Sequence, residues 1–224
     1  MNTELARFNM IEQQIRPWEV LDPAVLSLLA AVRREDFVPP ALRALAFVDT
    51  QVPLLPGQPD GPQMLEPKVE ARLLQELQVQ RHEKVLEVGT GSGFMAALLG
   101  HRAMRVHTLE CVPELAQRAR ANLSAAGLAN VTVHEVTPAE GARGLPGEAP
   151  FDVIVLSGSV AEVPRELLAQ LKIGGRLAAI VGDEPVMRAR LVRRAGEAAW
   201  SETDLFDTVA PRLAGFPEPT RFRF

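Results

Sequence analysis

The stretch "KVLEVGTGSGF" (84–94) decides how this chain is to be read. A short apolar run through Val88 gives way to Gly89, Gly91 and Gly93, so a strand turns sharply into a helix. Glycines let the backbone approach a ligand closely, and the following helix offers free N–H groups. A dinucleotide fold would space them G-x-G-x-x-G and face the helix to a pyrophosphate. Here the glycines fall at every second position, and an acid, Glu87, stands two residues before the first. A carboxylate so placed is ill-suited to a pyrophosphate and suits a cationic ligand. S-adenosyl-L-methionine carries a sulfonium and an ammonium, and this version of the turn favours it. A second acid, Glu110, ends the next strand, where a carboxylate can accept both ribose hydroxyls. The candidate cofactor-binding residues are therefore Glu87, Val88, Gly89, Thr90, Gly91, Ser92, Gly93 and Glu110.

Outward from this turn the chain alternates. "VHTLE", "VTVHEV", "FDVIVLSG" and "RLAAIVGD" are near-continuous apolar runs, separated by helical stretches such as "PELAQRARANLSAAG" and "PRELLAQL". Strands of that kind between helices predict a parallel sheet covered on both faces. Leu115, Ala119, Leu123 and Ala126 share one helix face, and Gly127 supplies its stop. After residue 187, "ARLVRRAG", "AWSETDLFDTV" and "TRFRF" follow one another without helices and predict an antiparallel edge. Residues 1 to about 75 read as helical and proline-punctuated. Leu5, Phe8, Ile11, Ile15 and Trp18 make one apolar stripe, and Asp22-Pro23 caps a second helix. The expected fold is α/β: a doubly wound, mostly parallel Rossmann-like sheet (76–224) with an N-terminal helical segment (1–75), forming a single domain over 1–224.

Composition narrows the function classes. At 224 residues and 47% hydrophobic, the chain holds a core that needs no staples. A lone cysteine, Cys111, forms no internal disulfide and fits a reducing compartment. No run approaches the roughly 18 apolar residues of a spanning helix, and "MNTELARFNM" lacks a secretory signal's pattern. The reading predicts a cytoplasmic protein. With a net charge of −4 there is no broad basic field for nucleic acid or anionic membrane. The cluster Arg188, Arg190, Arg193 and Arg194 reads as a solvated face. His82, His101, His107 and His134 are dispersed without metal-ligand spacing, so no metal is expected.

"VRREDFVPPALRALAFVDTQVPL" (32–54), "KVLEVGTGSGF" (84–94), "NVTVHEV" (130–136), "FDVIVLSGSVAEVP" (151–164) and "LKIGGRL" (171–177) together resemble the protein-L-isoaspartate O-methyltransferases. The glycine motif is shared by many methyltransferases, whereas "EDFVP" is more particular to this family. The resemblance implies a class I methyltransferase fold and a cytoplasmic enzyme that methylates the abnormal carboxylate of isoaspartyl residues in damaged proteins. It also implies cofactor roles for Glu87, Gly89, Gly91 and Glu110.

Two departures stand out. In that family the acceptor loop reads Gly-Tyr-Gly-Gln-Thr-Ile-Ser, then one residue and a proline, with the serine hydroxyl beside the acceptor carboxylate. Here Gly57, Gln58 and Pro67 match, "PDGP" (59–62) is extra, and the segment continues Gln63, Met64, Leu65. Leu65 falls where the serine belongs and has no donor for a carboxylate. An acceptor facing it forgoes a hydrogen bond, a loss of roughly 1–3 kcal/mol once desolvated. After the third strand, Thr137 replaces the family aspartate on the adenine amino group, and a neutral acceptor is about half as strong as a charged one. "FDTVAPRLAG" likewise departs from the family's Arg-Phe-Val-Pro-Leu segment.

Methyl transfer from a sulfonium to a carboxylate needs no general base, because the acceptor is already ionised at neutral pH. A hydroxyl or amine acceptor would need one, and Asp60, Glu66, Lys68, Ser157 and Ser159 are the candidates near the strand ends. Gly57, Gln58, Met64, Leu65 and Ser157 make up the candidate acceptor site. Three readings stay open at this level: an isoaspartyl O-methyltransferase acting on a protein or peptide, a same-fold methyltransferase with another, small-molecule acceptor, and a non-catalytic S-adenosylmethionine-binding relative. Oligomeric state is not legible.

Overall fold

The computed structural model describes residues 2–55, 57–58 and 61–218. The N-terminal part opens with α1 (Thr3–Met10), a π turn (Ile11–Ile15) and α2 (Pro23–Ala31). The Asp22 carboxylate accepts the Ala24 N–H at 2.7 Å, and Pro23 occupies the first turn, as the sequence reading expects. The apolar stripe differs from expectation: Leu5 and Phe8 are 55% and 60% exposed. Ile11 and Ile15 of that stripe are buried as expected, and Arg7 and Met10 join them on the buried face. Arg7 is tolerated there because Glu35 neutralises it, and the π turn shifts the phase of the face. Two strands of two residues each that hydropathy does not reveal, β1 (Val52–Pro53) and β2 (Gln63–Met64), pair antiparallel. α3 (Pro67–Leu77) then leads into the sheet.

The alternating region forms β3 (Lys84–Val88), α4 (Phe94–Arg102), β4 (Arg105–Glu110), α5 (Pro113–Ala125), β5 (Val131–Glu135), α6 (Pro138–Arg143), β6 (Phe151–Val160), α7 (Arg165–Ala169) and β7 (Leu171–Asp183). β8 (Val186–Arg194) and β9 (Trp200–Thr208) follow. Among the described residues one seven-stranded sheet has the order β5-β4-β3-β6-β7-β8-β9. Its β5 to β7 pairings are parallel, and the β7–β8 and β8–β9 pairings are antiparallel, which is the expected added edge. "TRFRF" lies outside the described residues.

Burial explains the patterning. Val85, Val153, Val155 and Ala178 face a core shared with the N-terminal helices, α3 and α4, while Leu86, Val88, Ile154 and Leu177 face α6 and α7. Strands covered on both sides must be apolar at almost every position. In α5, Leu115, Ala119 and Leu123 are buried, Ala126 is exposed, and Gly127 ends the helix at φ +73°. The edge arginines are matched across strands: Arg188 with Asp204 and Asp207, and Arg190 with Glu202 and Asp204. Arg176 is buried in the fold. It donates to Leu77 O (2.6 Å), Gln78 O (3.0 Å) and both Glu83 oxygens (2.5 and 2.8 Å), tying the end of α3 to the sheet.

Candidate active site

The strand order reverses direction at β3, between β4 and β6, and a crevice at the carboxyl ends of such strands is where ligands bind in this architecture. A cavity of about 590 Å³ lies there, within the range of small-ligand sites. Its near wall is the glycine turn. Gly89 N–H and Thr90 N–H both donate to Leu109 O, at 2.9 and 3.2 Å, which pins the turn to the end of β4. Gly89 has φ +94°, and a Cβ there would sit 2.8 Å from Leu213 Cδ2. The left-handed backbone therefore requires glycine, and the bare Cα leaves its space to the cavity.

Glu110 forms the next part of the wall. Its Oε2 accepts Gly91 N–H at 2.7 Å, and its Oε1 accepts Cys111 and Val112 N–H at 3.0 Å each. Burial pushes its pKa up and these three donors pull it down. A carboxylate has about four lone-pair positions, so one on Oε2 is left for a ligand hydroxyl. The far wall is the C-terminal segment, including Ala210, Pro211, Leu213 and Phe216. Ser159 fixes it: Ser159 N–H donates to Pro211 O at 2.8 Å, its hydroxyl donates to Ala210 O at 2.8 Å, and its carbonyl accepts Leu213 N–H at 2.9 Å. The sequence reading marks most of this segment, "FDTVAPRLAG" (206–215), only as a departure from the family pattern, and the docking on β6 is what brings it to the cavity.

Glu87 takes a different place from the one expected. It is fully buried behind the glycine turn and does not line the cavity, so it makes no direct approach to a cationic ligand there. Ser157 donates to its Oε1 at 2.6 Å and Thr108 donates to its Oε2 at 2.7 Å, with Thr90 Oγ1 2.6 Å from Thr108 Oγ1. Desolvation pushes its pKa up to about 8, against the two hydroxyl donors. Val88, Gly89 and Gly91 line the cavity, while Thr90 and Ser92 are buried behind it. Thr137 is exposed and sits beside the cavity, which its neighbours Val136 and Pro138 line. Its hydroxyl donates to Glu140 Oε2 at 2.7 Å and accepts Glu140 N–H, so it serves as the N-cap of α6.

On the acceptor side, Gly57 and Gln58 lie in an exposed turn away from the cavity, which Gly61, Pro62 and Gln63 reach instead. Asp60 and Pro59 lie outside the described residues. Met64 and Leu65 are buried and face a recess of about 20 Å³ with Glu70, Glu87 and Ser157. Leu65 contributes its carbonyl to Arg34, which donates to it at 2.7 Å. Lys68 pairs with Asp49 and lies 4.2 Å from the centre of the Trp18 ring, and Glu66 accepts from Gln51. Among the expected polar candidates within the described residues, Ser157 alone reaches the cavity. His107 and His134, distant in sequence, meet across β4 and β5 at 3.0 Å, away from the cavity lining. Among the described residues no cluster of histidine, cysteine or acid could hold a metal.

The family model for protein-L-isoaspartate(D-aspartate) O-methyltransferase (PCMT) matches residues 6–209. This chain belongs to that family. A protein-L-isoaspartate O-methyltransferase of Rhodopseudomonas palustris is 39% identical over 216 residues, covering 94% of this chain and 96% of the relative. One from Methanoculleus marisnigri is 39% identical over 191 residues, covering 85% and 84%. A solved protein-L-isoaspartate O-methyltransferase superposes with a TM-score of 0.76 at 21% identity, over 91% of this chain and 64% of that one. A Plasmodium falciparum PCMT structure in complex with S-adenosyl-L-homocysteine gives 0.73 at 18% identity, over 96% and 99%. These two likenesses speak for the fold. PCMT membership makes S-adenosylmethionine the cofactor, and the residues fit it: a glycine cradle, an inward carboxylate with a free lone pair, and apolar walls at Leu109 and Phe216.

Proposed function

We infer that the cavity at the strand ends is the methyl-transfer site, with the glycine turn and Glu110 on the cofactor side. The chain is an S-adenosylmethionine-dependent O-methyltransferase that methylates isoaspartyl residues of proteins. The observation that carries the reading is the family match over residues 6–209, which takes in the glycine turn and Glu110 on the near wall of this cavity. Val88, Gly89 and Gly91 would hold the cofactor through backbone contacts, and Glu110 would accept a ribose hydroxyl. When bound, S-adenosylmethionine supplies an electrophilic methyl group on a sulfonium. Held by the glycine turn and Glu110, it would give that methyl to an acceptor carboxylate oxygen and leave as the neutral thioether. No proton moves. The protein's work is alignment and exclusion of water, which suits walls built of buried apolar residues. Thr137, as the N-cap of α6, would support the site through that helix, whose Pro138 and Gly141 line the cavity. The core shared by the N-terminal helices and the sheet supports one domain over 1–224, and the lone cysteine accords with the cytoplasm.

Cys111 provides the test of the site. It is half-buried, lines the cavity, and its thiol pKa is pushed up by burial. Alkylation by iodoacetamide at mildly alkaline pH is expected to slow at least tenfold when S-adenosylhomocysteine is present at saturating concentration. Equal rates with and without it would place the cofactor elsewhere.

A further inference from the structure

The family's acceptor serine position holds Leu65, yet the carboxylate to be methylated must still meet a donor, because a desolvated anion without one is costly. Several polar side chains at the cavity are already engaged. Gln51 donates to Val209 O and Glu66. The three guanidinium nitrogens of Arg212 go to Gly182 O, Asp183 and Glu218. Gln63 is engaged as well. Ser157 is the one hydroxyl lining the cavity among the described residues, and it also borders the recess beside Leu65. Irregular pairing of β6 with β7 between Val155 and Ser159 re-aims this stretch, as bulges beside active sites do.

We propose that Ser157, held by Glu87, is the hydroxyl that receives the acceptor carboxylate in place of the family serine, with Glu87 as its positioning residue. This rests on the isoaspartyl reading above and adds to it the group that recognises the acceptor. Hydrogen-bond direction gives the device its logic. While Glu87 is ionised, Ser157 spends its only proton on Glu87 and offers a substrate carboxylate nothing but lone pairs. With Glu87 protonated, the carboxyl donates to Ser157 Oγ, and Ser157 is free to donate into the cavity. Thr108 continues to donate to the other oxygen of Glu87, and Thr90 completes the chain. The charged groups that reach Glu87 are Glu70 from α3 and Glu110 from β4, both acids, while Thr108 and Ser157 present hydroxyls. Fully buried among acids, Glu87 keeps its proton up to about pH 8. A neutral Glu87 also removes the repulsion that an incoming carboxylate would otherwise meet.

The test is steady-state kinetics with an isoaspartyl peptide, alongside calorimetric binding of S-adenosylhomocysteine. Ser157→Ala is expected to raise the peptide KM about 10- to 100-fold, the range for a hydrogen bond to a charged group. Cofactor affinity should be unchanged, and Ser157→Thr should restore the KM. Wild-type KM is expected to rise above about pH 8 as Glu87 ionises, and Glu87→Gln should abolish that rise. A readout independent of turnover exists. The folded state holds an extra proton between the ordinary carboxylate value of 4.5 and about 8, so stability falls as pH rises through that window. Glu87→Gln should flatten the slope, leaving the part due to Glu70, which titrates near 7. Unchanged peptide KM in Ser157→Ala, with wild-type transfer intact, would overturn the role of Ser157 alone. Wild-type enzyme that binds cofactor and never labels the isoaspartyl peptide would overturn this inference and the acceptor reading together.

Discussion

Arg34→Met is expected to lower the thermal midpoint by roughly 6–20 °C, the shift that about 3–5 kcal/mol makes in a chain of this size. Arg34 is 1% exposed and donates to Glu70 Oε2 at 2.5 Å, Ala46 O at 3.1 Å and Leu65 O at 2.7 Å. Its guanidinium also lies 5.1 Å from the centre of the Phe94 ring. Methionine fills much of the same volume and leaves a buried carboxyl and two carbonyls without donors. Desolvation already pushes the Glu70 pKa up to about 7 with Arg34 in place. Without it, Glu70 would take up a proton at neutral pH. The double variant Arg34→Met, Glu70→Leu is expected to recover much of the loss, because two apolar side chains leave no unpaired charge. Differential scanning calorimetry of the three proteins checks this. A single variant as stable as wild type would show that the pair does not hold "EDFVP" against α3.

The second large effect is on the cofactor. Glu110→Gln is expected to weaken S-adenosylhomocysteine binding about 10- to 100-fold, measured by calorimetry. Both carboxylate oxygens accept backbone N–H groups, so an amide must point its NH₂ at a donor on one side. If it faces Gly91, the glycine turn loses its anchor. If it faces Cys111 and Val112, the start of α5 does. Either way the preorganised cradle loosens, in addition to the weaker acceptor left for the ligand. Affinity within twofold of wild type would mean that Glu110 neither receives the ligand nor holds a cradle on which binding depends.

How much of this was legible in the sequence follows from where each signal is stored. Strands β3 to β7 are buried on both faces, so their apolar runs announce them. The antiparallel edge was readable because no helix separates its strands. The glycine turn was readable because positive φ selects glycine, and the strand-end Glu110 because its place in the alternation is fixed. The partners of Glu87 were not, since Thr108 and Ser157 lie on neighbouring strands and their spacing in sequence reflects only connection lengths. The exposed Leu5 and Phe8 misled because periodicity cannot say which side of a helix meets the core when Arg7, neutralised by Glu35, occupies the buried side. β1 and β2 are too short to carry a pattern, and the C-terminal wall owes its position to backbone bonds with Ser159.

The most direct measurement is transfer of labelled methyl from S-adenosylmethionine to an isoaspartyl peptide, with the ordinary aspartyl peptide beside it. The account predicts label on the isoaspartyl peptide alone, in a base-labile ester. Label on neither peptide from a protein that binds S-adenosylhomocysteine, or equal label on both, would contradict it.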